Sequence, residues 1–416
     1  MELVSPAGNL EKLRFAYLYG ADAAYIGVKD FSLRAKADNL SGENYAFCSE
    51  IKNGKKLYGA VNMYFREADL EKLEQSLDFL SISPFDAFIV SDLGAYRVLK
   101  DRFPHMKFHL STQANCMNSD AVRFYRDIGF SRIILGREAT LTEIESIKTK
   151  VPDVELEVFA HGAMCLAYSG RCFLSSYMAE RSANRGSCAH PCRWDYKLIE
   201  EGERPGEFFP VFEQDGFTTI LSSKDLCLFD HIRELHNAGI DSLKIEGRMK
   251  SVYYTALVTR SYRKAIDAAR SATSQNSAFR NGFLEDAMPA PLEAYRNELF
   301  KVSRREFTTG FLFGSQEVNI PTKISYRRDY QFLGTVNTEL EAGVYEIEVK
   351  NRMRSDDTIE YIGPDILFIR DTAFTLCGET GEVLEKANHG NYCTLHTDKP
   401  LKPGYIIRKK MKEDGP

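Results

Sequence analysis

The chain carries a single tryptophan and has neither a GxGxxG nor a GxxxxGKS/T phosphate loop. A doubly wound nucleotide-binding sheet normally shows such a turn, so that architecture is disfavoured. HExxH and GxSxG are absent as well, which removes the common zinc-peptidase and serine-hydrolase signatures. No run approaches the ~18 apolar residues that a membrane-spanning helix needs. The opening Met1-Glu2-Leu3-Val4-Ser5-Pro6 has no basic stretch leading into an apolar one. A secretory signal is therefore not expected, and the chain reads as cytoplasmic. Charge of one sign is lacking too, since 54 Lys and Arg stand against 59 Asp and Glu for a formal net charge of -5. That excludes a polybasic nucleic-acid binder but leaves room for an RNA-modifying enzyme with a local basic patch.

What is present is the composition of a globular protein, 44% hydrophobic and 27% charged over 416 residues. The length suits one large domain and one smaller one. Up to about residue 270, short apolar runs alternate with amphipathic helical stretches. The runs are Glu2–Ala7, Ala23–Val28, Lys56–Met63, Ala87–Asp92, Lys107–Gln113, Arg132–Glu138, Leu156–Gly162 and Ser242–Gly247. Between them, Asn9 caps a helix over Leu10–Tyr19, and Asp69–Leu80 stripes four leucines on one face. Ser119 or Asp120, Thr140 or Thr142, and Ser223 or Asp225 open further helices, and Ser251 opens a long one reaching about Ala269. Eight strands alternating with helices predict an α/β fold, a TIM-like (β/α)8 barrel over 1–270. An insertion at 163–220 after the seventh strand is far longer than an ordinary loop of this fold. Residues 271–320 read as a linker and helical connection. Residues 321–416 hold only short strands and read as a small β-barrel domain.

In such a barrel the chemistry sits at the carboxyl ends of the strands. Those ends supply Asn62, Gln113, Asn115, Arg137, Glu138, His161, Glu246 and Arg248, which either form a site or cap helices and pair with one another. Nine cysteines are unevenly spread: Cys165, Cys172, Cys188 and Cys192 crowd the insertion, and Cys227 follows. In a reducing compartment such crowding favours metal or redox chemistry over disulfides. Only Cys188/Cys192 approaches a zinc-type spacing, whereas iron–sulfur clusters tolerate dispersed ligands. Cys48, Cys116, Cys377 and Cys393 read as buried thiols. A Cys165/His161 dyad is conceivable, but a thiolate bound to a cluster could not act as nucleophile. Lys323, Arg327, Arg328, Lys350, Arg352 and Arg354, with Tyr326 and Tyr330, form either an RNA-binding face or an ordinary solvated one.

The stretch Glu157–Ser175 closely resembles the signature of the U32 peptidase family, the collagenase-like peptidases. The resemblance extends to Ser5-Pro-Ala-Gly8-Asn9, to Lys244-Ile-Glu-Gly-Arg248 and to Arg328-Asp-Tyr-Gln-Phe-Leu-Gly334. The tail is similar to that of the branch associated with prephenate-dependent hydroxylation of tRNA wobble uridine to 5-hydroxyuridine. Sister branches act on ribosomal RNA or in oxygen-independent ubiquinone hydroxylation. The resemblance implies an iron–sulfur cluster, of the four-iron four-sulfur type, on Cys165, Cys172, Cys188 and Cys227, with Cys192 competing for the fourth place. It also implies tRNA as partner and prephenate, a dicarboxylate, as co-substrate. Arg137 and Arg248, ending strands that flank the seventh, suit carboxylate binding. Lys244 and Glu246 share a strand face and either join that site or fill the barrel as an ion pair. Glu157 and His161, four apart on the seventh strand, are expected to share a face, with His161 as the proton-transfer group. The alternatives are a U32-type peptidase, hydroxylation of another RNA, or a non-catalytic RNA chaperone with a structural metal.

Overall fold

The structure, a computed structural model, describes residues 1–33, 44–165, 167–191, 212–214, 217–219, 223–275, 290–314 and 326–411. The expected strands form as β1 (Glu2–Pro6), β2 (Ala23–Gly27), β3 (Lys56–Val61), β4 (Ala87–Val90), β5 (Lys107–Leu110), β6 (Arg132–Ile134) and β7 (Glu155–Ala163). A short hairpin, β8 (Phe212–Gln214) and β9 (Phe217–Thr219), and the strand β10 (Asp225–Cys227) precede β11 (Ser242–Ile245). The strands β1 to β7 pair in parallel in chain order, and β11 pairs in parallel with both β1 and β7. Eight parallel strands thus close into a barrel. Their runs of Ala, Val, Ile, Leu, Phe and Tyr are buried on both faces, as a covered parallel sheet requires.

The helices begin where capping chemistry places them. Asn9 accepts from the Lys12 N–H, Asn118 from Ala121, and Thr140 forms a reciprocal capping box with Glu143. Two expectations are corrected. The leucine-striped segment forms two helices, Glu67–Gln75 and Leu77–Ser81. Ser76 between them hands its hydroxyl back to the Lys72 carbonyl at 2.8 Å, a contact that bends helices. Asp225 opens no helix, because Arg305 takes its carboxylate at 2.7 Å and its strand pairs antiparallel with the end of β7. The helix there is only Ile232–Asn237.

The helix Val252–Gln275 runs past residue 270, and residues 276–289 and 315–320 of the expected connection lie outside the described residues. After a helix at Ala290–Glu298, the strand β12 (Phe307–Thr308) pairs with β10. The C-terminal part is an eight-stranded antiparallel sheet centred on the hairpin of β13 (Tyr330–Glu341) and β14 (Val344–Val349). Its two edge strands do not pair with each other among the described residues, so the sheet is a half-barrel. It packs on the barrel through the Tyr19 hydroxyl, which donates to the carbonyls of Ile362 and Gly404 at 2.8 and 3.0 Å. Among the described residues no helix is long and apolar enough to cross a membrane.

Candidate active site at the barrel mouth

The carboxyl ends of the strands open into a cavity of about 740 Å³. Three parts of the chain wall it together. Tyr25, Phe159 and Lys244 reach it from inside the barrel, Cys165, Cys172 and Cys188 from the insertion, and Tyr326, Arg328 and Tyr330 from the C-terminal part. Arg137, Glu246 and Arg248 line it at the strand ends.

The charges in this cavity are neighbours. The Lys244 ammonium lies 2.8 Å from Glu157 Oε1 and 4.3 Å from the centre of the Tyr25 ring. Burial pulls the Lys244 pKa down, and Glu157 opposes that pull. Burial alone would raise the Glu157 carboxyl, but Lys244 and Arg132, the latter at 3.0 Å, hold it below the usual carboxylate value. Arg132 continues the network to Glu2 and Glu155, both at 2.6 Å. The Arg137 guanidinium lies 3.8 Å from the centre of the Phe159 ring and 3.7 Å from Glu246 Oε2. Arg248, also buried, donates to the Ser32 hydroxyl at 2.6 Å. Lys244 and Glu246 do not pair with each other: Lys244 meets Glu157 on the adjacent strand β7, and Glu246 reaches past β7 to Arg137 at the end of β6.

His161 requires a second correction. In the pairing of β7 with β11, Phe159 lies opposite Lys244 and His161 opposite Ile245, so Ala160 is an extra residue. This bulge reverses the alternation. Glu157 and Phe159 keep the inward face, whereas His161 turns outward, among the rings of Tyr254, Tyr262 and Phe307 at 5.3–5.9 Å. Its Nδ1 faces the Tyr262 hydroxyl at 3.4 Å, and burial depresses its pKa to about 3. His161 does not line the cavity and is neutral near pH 7. From that position it cannot exchange protons with a ligand there. Glu157 does not line the cavity either and acts on it only through Lys244.

The insertion is tied to the barrel at the strand ends. Glu138 accepts the Ser169 N–H at 2.6 Å and its hydroxyl at 2.7 Å, which fixes the turn between Cys165 and Cys172. Arg171 donates to the Gln113 carbonyl at 3.0 Å. Asn184 exchanges two hydrogen bonds with the Cys172 backbone, and Arg185 holds Asp69 with one contact at 2.8 Å. The His190 N–H points at Cys188 Sγ at 3.4 Å. Three thiols thus share one cavity. No three His, Cys, Asp or Glu side chains among the described residues are gathered closely enough for a single metal ion. Cys227 does not line the cavity; its thiol lies 3.8 Å from the Tyr262 hydroxyl, and burial pushes its pKa up to about 11. Cys192 lies outside the described residues. Cys48, Cys116, Cys377 and Cys393 are buried.

The sequence motifs meet in space. Gly8 lies where a Cβ would come within 2.3 Å of the Arg248 carbonyl oxygen, so the first strand's loop presses on the loop that carries Arg248. Of the basic residues in the C-terminal part, Arg328 lines the cavity with Tyr326 and Tyr330, whereas Lys350 is taken by Glu11 and Glu348 at 3.1 and 2.7 Å. Arg354 pairs with Asp356, Arg327 meets Arg304 through backbone hydrogen bonds, and Arg352 is exposed. Lys323 lies outside the described residues. Sequence reasoning missed Tyr25 and Phe159. Their signal was parity, since each stands at an inward position of its strand.

The model of peptidase family U32 matches residues 8–321, and that of the family's C-terminal domain matches residues 328–408. The chain is 36% identical to "tRNA hydroxylation protein P1" of Bacillus subtilis, covering 98% of this chain and 94% of that one. It is also 36% identical to "tRNA hydroxylation protein P" of Escherichia coli, over 87% and 86% of the two chains. A third relative, the "23S rRNA 5-hydroxycytidine C2501 synthase" of Escherichia coli, is 35% identical over 64% of this chain and 39% of its own.

Proposed function

Because the chain belongs to peptidase family U32, we propose that it hydroxylates a pyrimidine of tRNA, the wobble uridine, at C5. One observation carries the reading: a single cavity is walled at once by cations, by cysteine thiols and by aromatic and basic groups of the C-terminal part. The relatives named for tRNA and rRNA hydroxylation support the same chemistry. Arg137, Lys244 and Arg248 supply positive charge for a dicarboxylate co-substrate, prephenate, and Glu246 orients Arg137 beside it. Tyr326, Tyr330 and Arg328 offer a stacking and phosphate-binding edge to a single-stranded loop.

Soft thiolates at Cys165, Cys172 and Cys188 suit an iron–sulfur cluster, and their spread around the cavity favours a polynuclear cluster over one ion. The N–H aimed at Cys188 Sγ stabilises a thiolate there. Cys192 or Cys227 supplies the fourth ligand. Such a cluster, when bound, supplies electron transfer or a Lewis-acidic iron.

The test is complementation of a deletion strain, with nucleoside mass spectrometry of its tRNA and iron analysis of anaerobically purified protein. Wild-type protein should restore 5-hydroxyuridine derivatives and carry iron. Ala at Cys165, Cys172 or Cys188 should lose both. Iron lost in Cys192→Ala but kept in Cys227→Ala would assign the fourth ligand to Cys192. Unchanged tRNA in the deletion strain, together with metal-free proteolysis, would instead establish the peptidase.

A further inference from the structure

Gln113 is the buried polar side chain that the cavity leaves unanswered. It is 6% exposed, it lines the cavity, and its Oε1 accepts no hydrogen bond among the described residues. Its backbone, by contrast, is fixed on both sides. The N–H donates to the Ser111 hydroxyl at 3.3 Å, and the carbonyl accepts from Arg171 at 3.0 Å. A buried amide with one end unpaired costs stability, so native proteins seldom keep one without a use. A carboxamide offers one donor and one acceptor side by side, and a half-turn of its last torsion exchanges them.

Resting on the hydroxylation reading above, we infer that the Gln113 carboxamide reads the Watson–Crick edge of the pyrimidine to be modified. Uracil presents N3–H beside a carbonyl oxygen, the mirror of an amide's acceptor and donor. With the side chain turned so that its amide faces the cavity, two parallel hydrogen bonds to that edge satisfy the orphan oxygen and leave the C5–C6 side of the ring facing away from Gln113. That side is where hydroxylation takes place, and the carboxylate-binding cations line the same cavity. Enzymes that act on a base outside the helical stack commonly hold it by this edge. A base in a single-stranded loop reaches such a pocket without breaking a pair. The half-turn also lets the same amide match cytosine. Gln113 therefore recognises a pyrimidine edge and does not by itself choose between the two bases.

The experiment uses the full chain and an anticodon stem–loop RNA carrying either uridine or an abasic site at the wobble position. Wild-type protein should bind the uridine loop about tenfold more tightly, the scale of one good bidentate base contact. In Gln113→Met, which is close in volume and apolar, that preference should vanish while affinity for the abasic loop is unchanged. The melting temperature should hold or rise, because an unpaired buried amide has been removed. Cellular 5-hydroxyuridine should fall about tenfold with iron content intact. A preference for uridine that survives in Gln113→Met overturns the inference. So does a loss of affinity for both loops that tracks a lower melting temperature, which marks a structural role. Wild-type protein that binds neither loop overturns the RNA reading itself, and this inference with it.

Discussion

Glu157 is an anion the barrel interior could not hold alone. Fully buried, it is sustained by Lys244 at 2.8 Å and Arg132 at 3.0 Å, and it returns the favour by keeping a positive charge on Lys244 at the cavity. Breaking such a pair by removing one partner costs about 3–5 kcal/mol, because the other ion stays buried. Glu157→Gln should therefore lower stability at pH 7 by that order, read as a shift in the urea midpoint. The folded carboxyl lies below its ordinary value of 4.5, so its contribution is complete above that pH and is lost as pH falls through the folded pKa. The gap between wild type and variant should thus begin to shrink as pH falls below 4.5 and go on shrinking towards the depressed folded pKa. A gap that stays constant from pH 7 to pH 3 would show that the charge is not what matters. The two residues were visible in the sequence as charges on apolar strands, but their pairing was not. Which charge meets which depends on the register between β7 and β11, and neither strand states that register on its own.

At the scale of elements, the barrel was legible because short apolar runs alternate with capped helices, and a closed parallel ring is the economical way to bury eight such runs. The Cys-rich insertion was legible from its length and composition. The orientation of His161 was not, since a single extra residue at Ala160 inverts the face of everything after it, and parity counting presumes there is none. Glycine holds this bend. Gly162 has φ +111°, and a Cβ there would lie 2.5 Å from the Glu246 carbonyl oxygen, an atom of the backbone that cannot turn aside. Gly162→Ala should therefore cost at least about 2 kcal/mol, combining backbone strain with the push against β11 and its loop. Gly54 has φ +80°, and a Cβ there would meet nothing within 4 Å, so Gly54→Ala should cost only the strain, about 1 kcal/mol. Thermal melts of both variants decide the matter, and equal losses would mean that the contact with Glu246 is not close. Arg137 and Arg248, by contrast, line the cavity as their places at strand ends suggest, because those places do not depend on this parity.

Across the whole molecule, the C-terminal half-barrel reaches the cavity because a buried ionic knot fastens it to the barrel. Arg408, on the last strand and fully buried, donates to both oxygens of Glu298 at 2.8 and 3.0 Å, to Glu360 at 2.9 Å and to the Tyr253 hydroxyl at 3.0 Å. Arg260, from the helix Val252–Gln275, donates to the carbonyls of Gly363, Ile366 and Leu367 at 2.6–3.0 Å. The same Arg408 guanidinium lies 4.5 Å from the centre of the Tyr330 ring, so the knot also seats one wall of the cavity. Sequence alone could place Tyr330 beside a basic stretch but could not bring it to the barrel mouth, because that needs the contact between a residue near 298 and one near 408. Removing the arginine leaves Glu298 buried with Arg260 and Lys301 as its remaining partners, and Glu360 facing Arg370. Arg408→Met should lower stability by about 3–5 kcal/mol and split a single calorimetric transition into two, as the half-barrel loosens first. Replacing Glu298 as well, in Arg408→Met with Glu298→Met, should recover only part of that loss, since Glu298 is no longer a buried ion but Glu360 still faces Arg370 alone and Arg260 has lost Glu298. Hydroxylation in cells should stay low in both variants, because neither restores the cation against Tyr330. If the single variant instead melts in one transition at the wild-type temperature, the two parts are coupled by their apolar contact and not by the ionic knot.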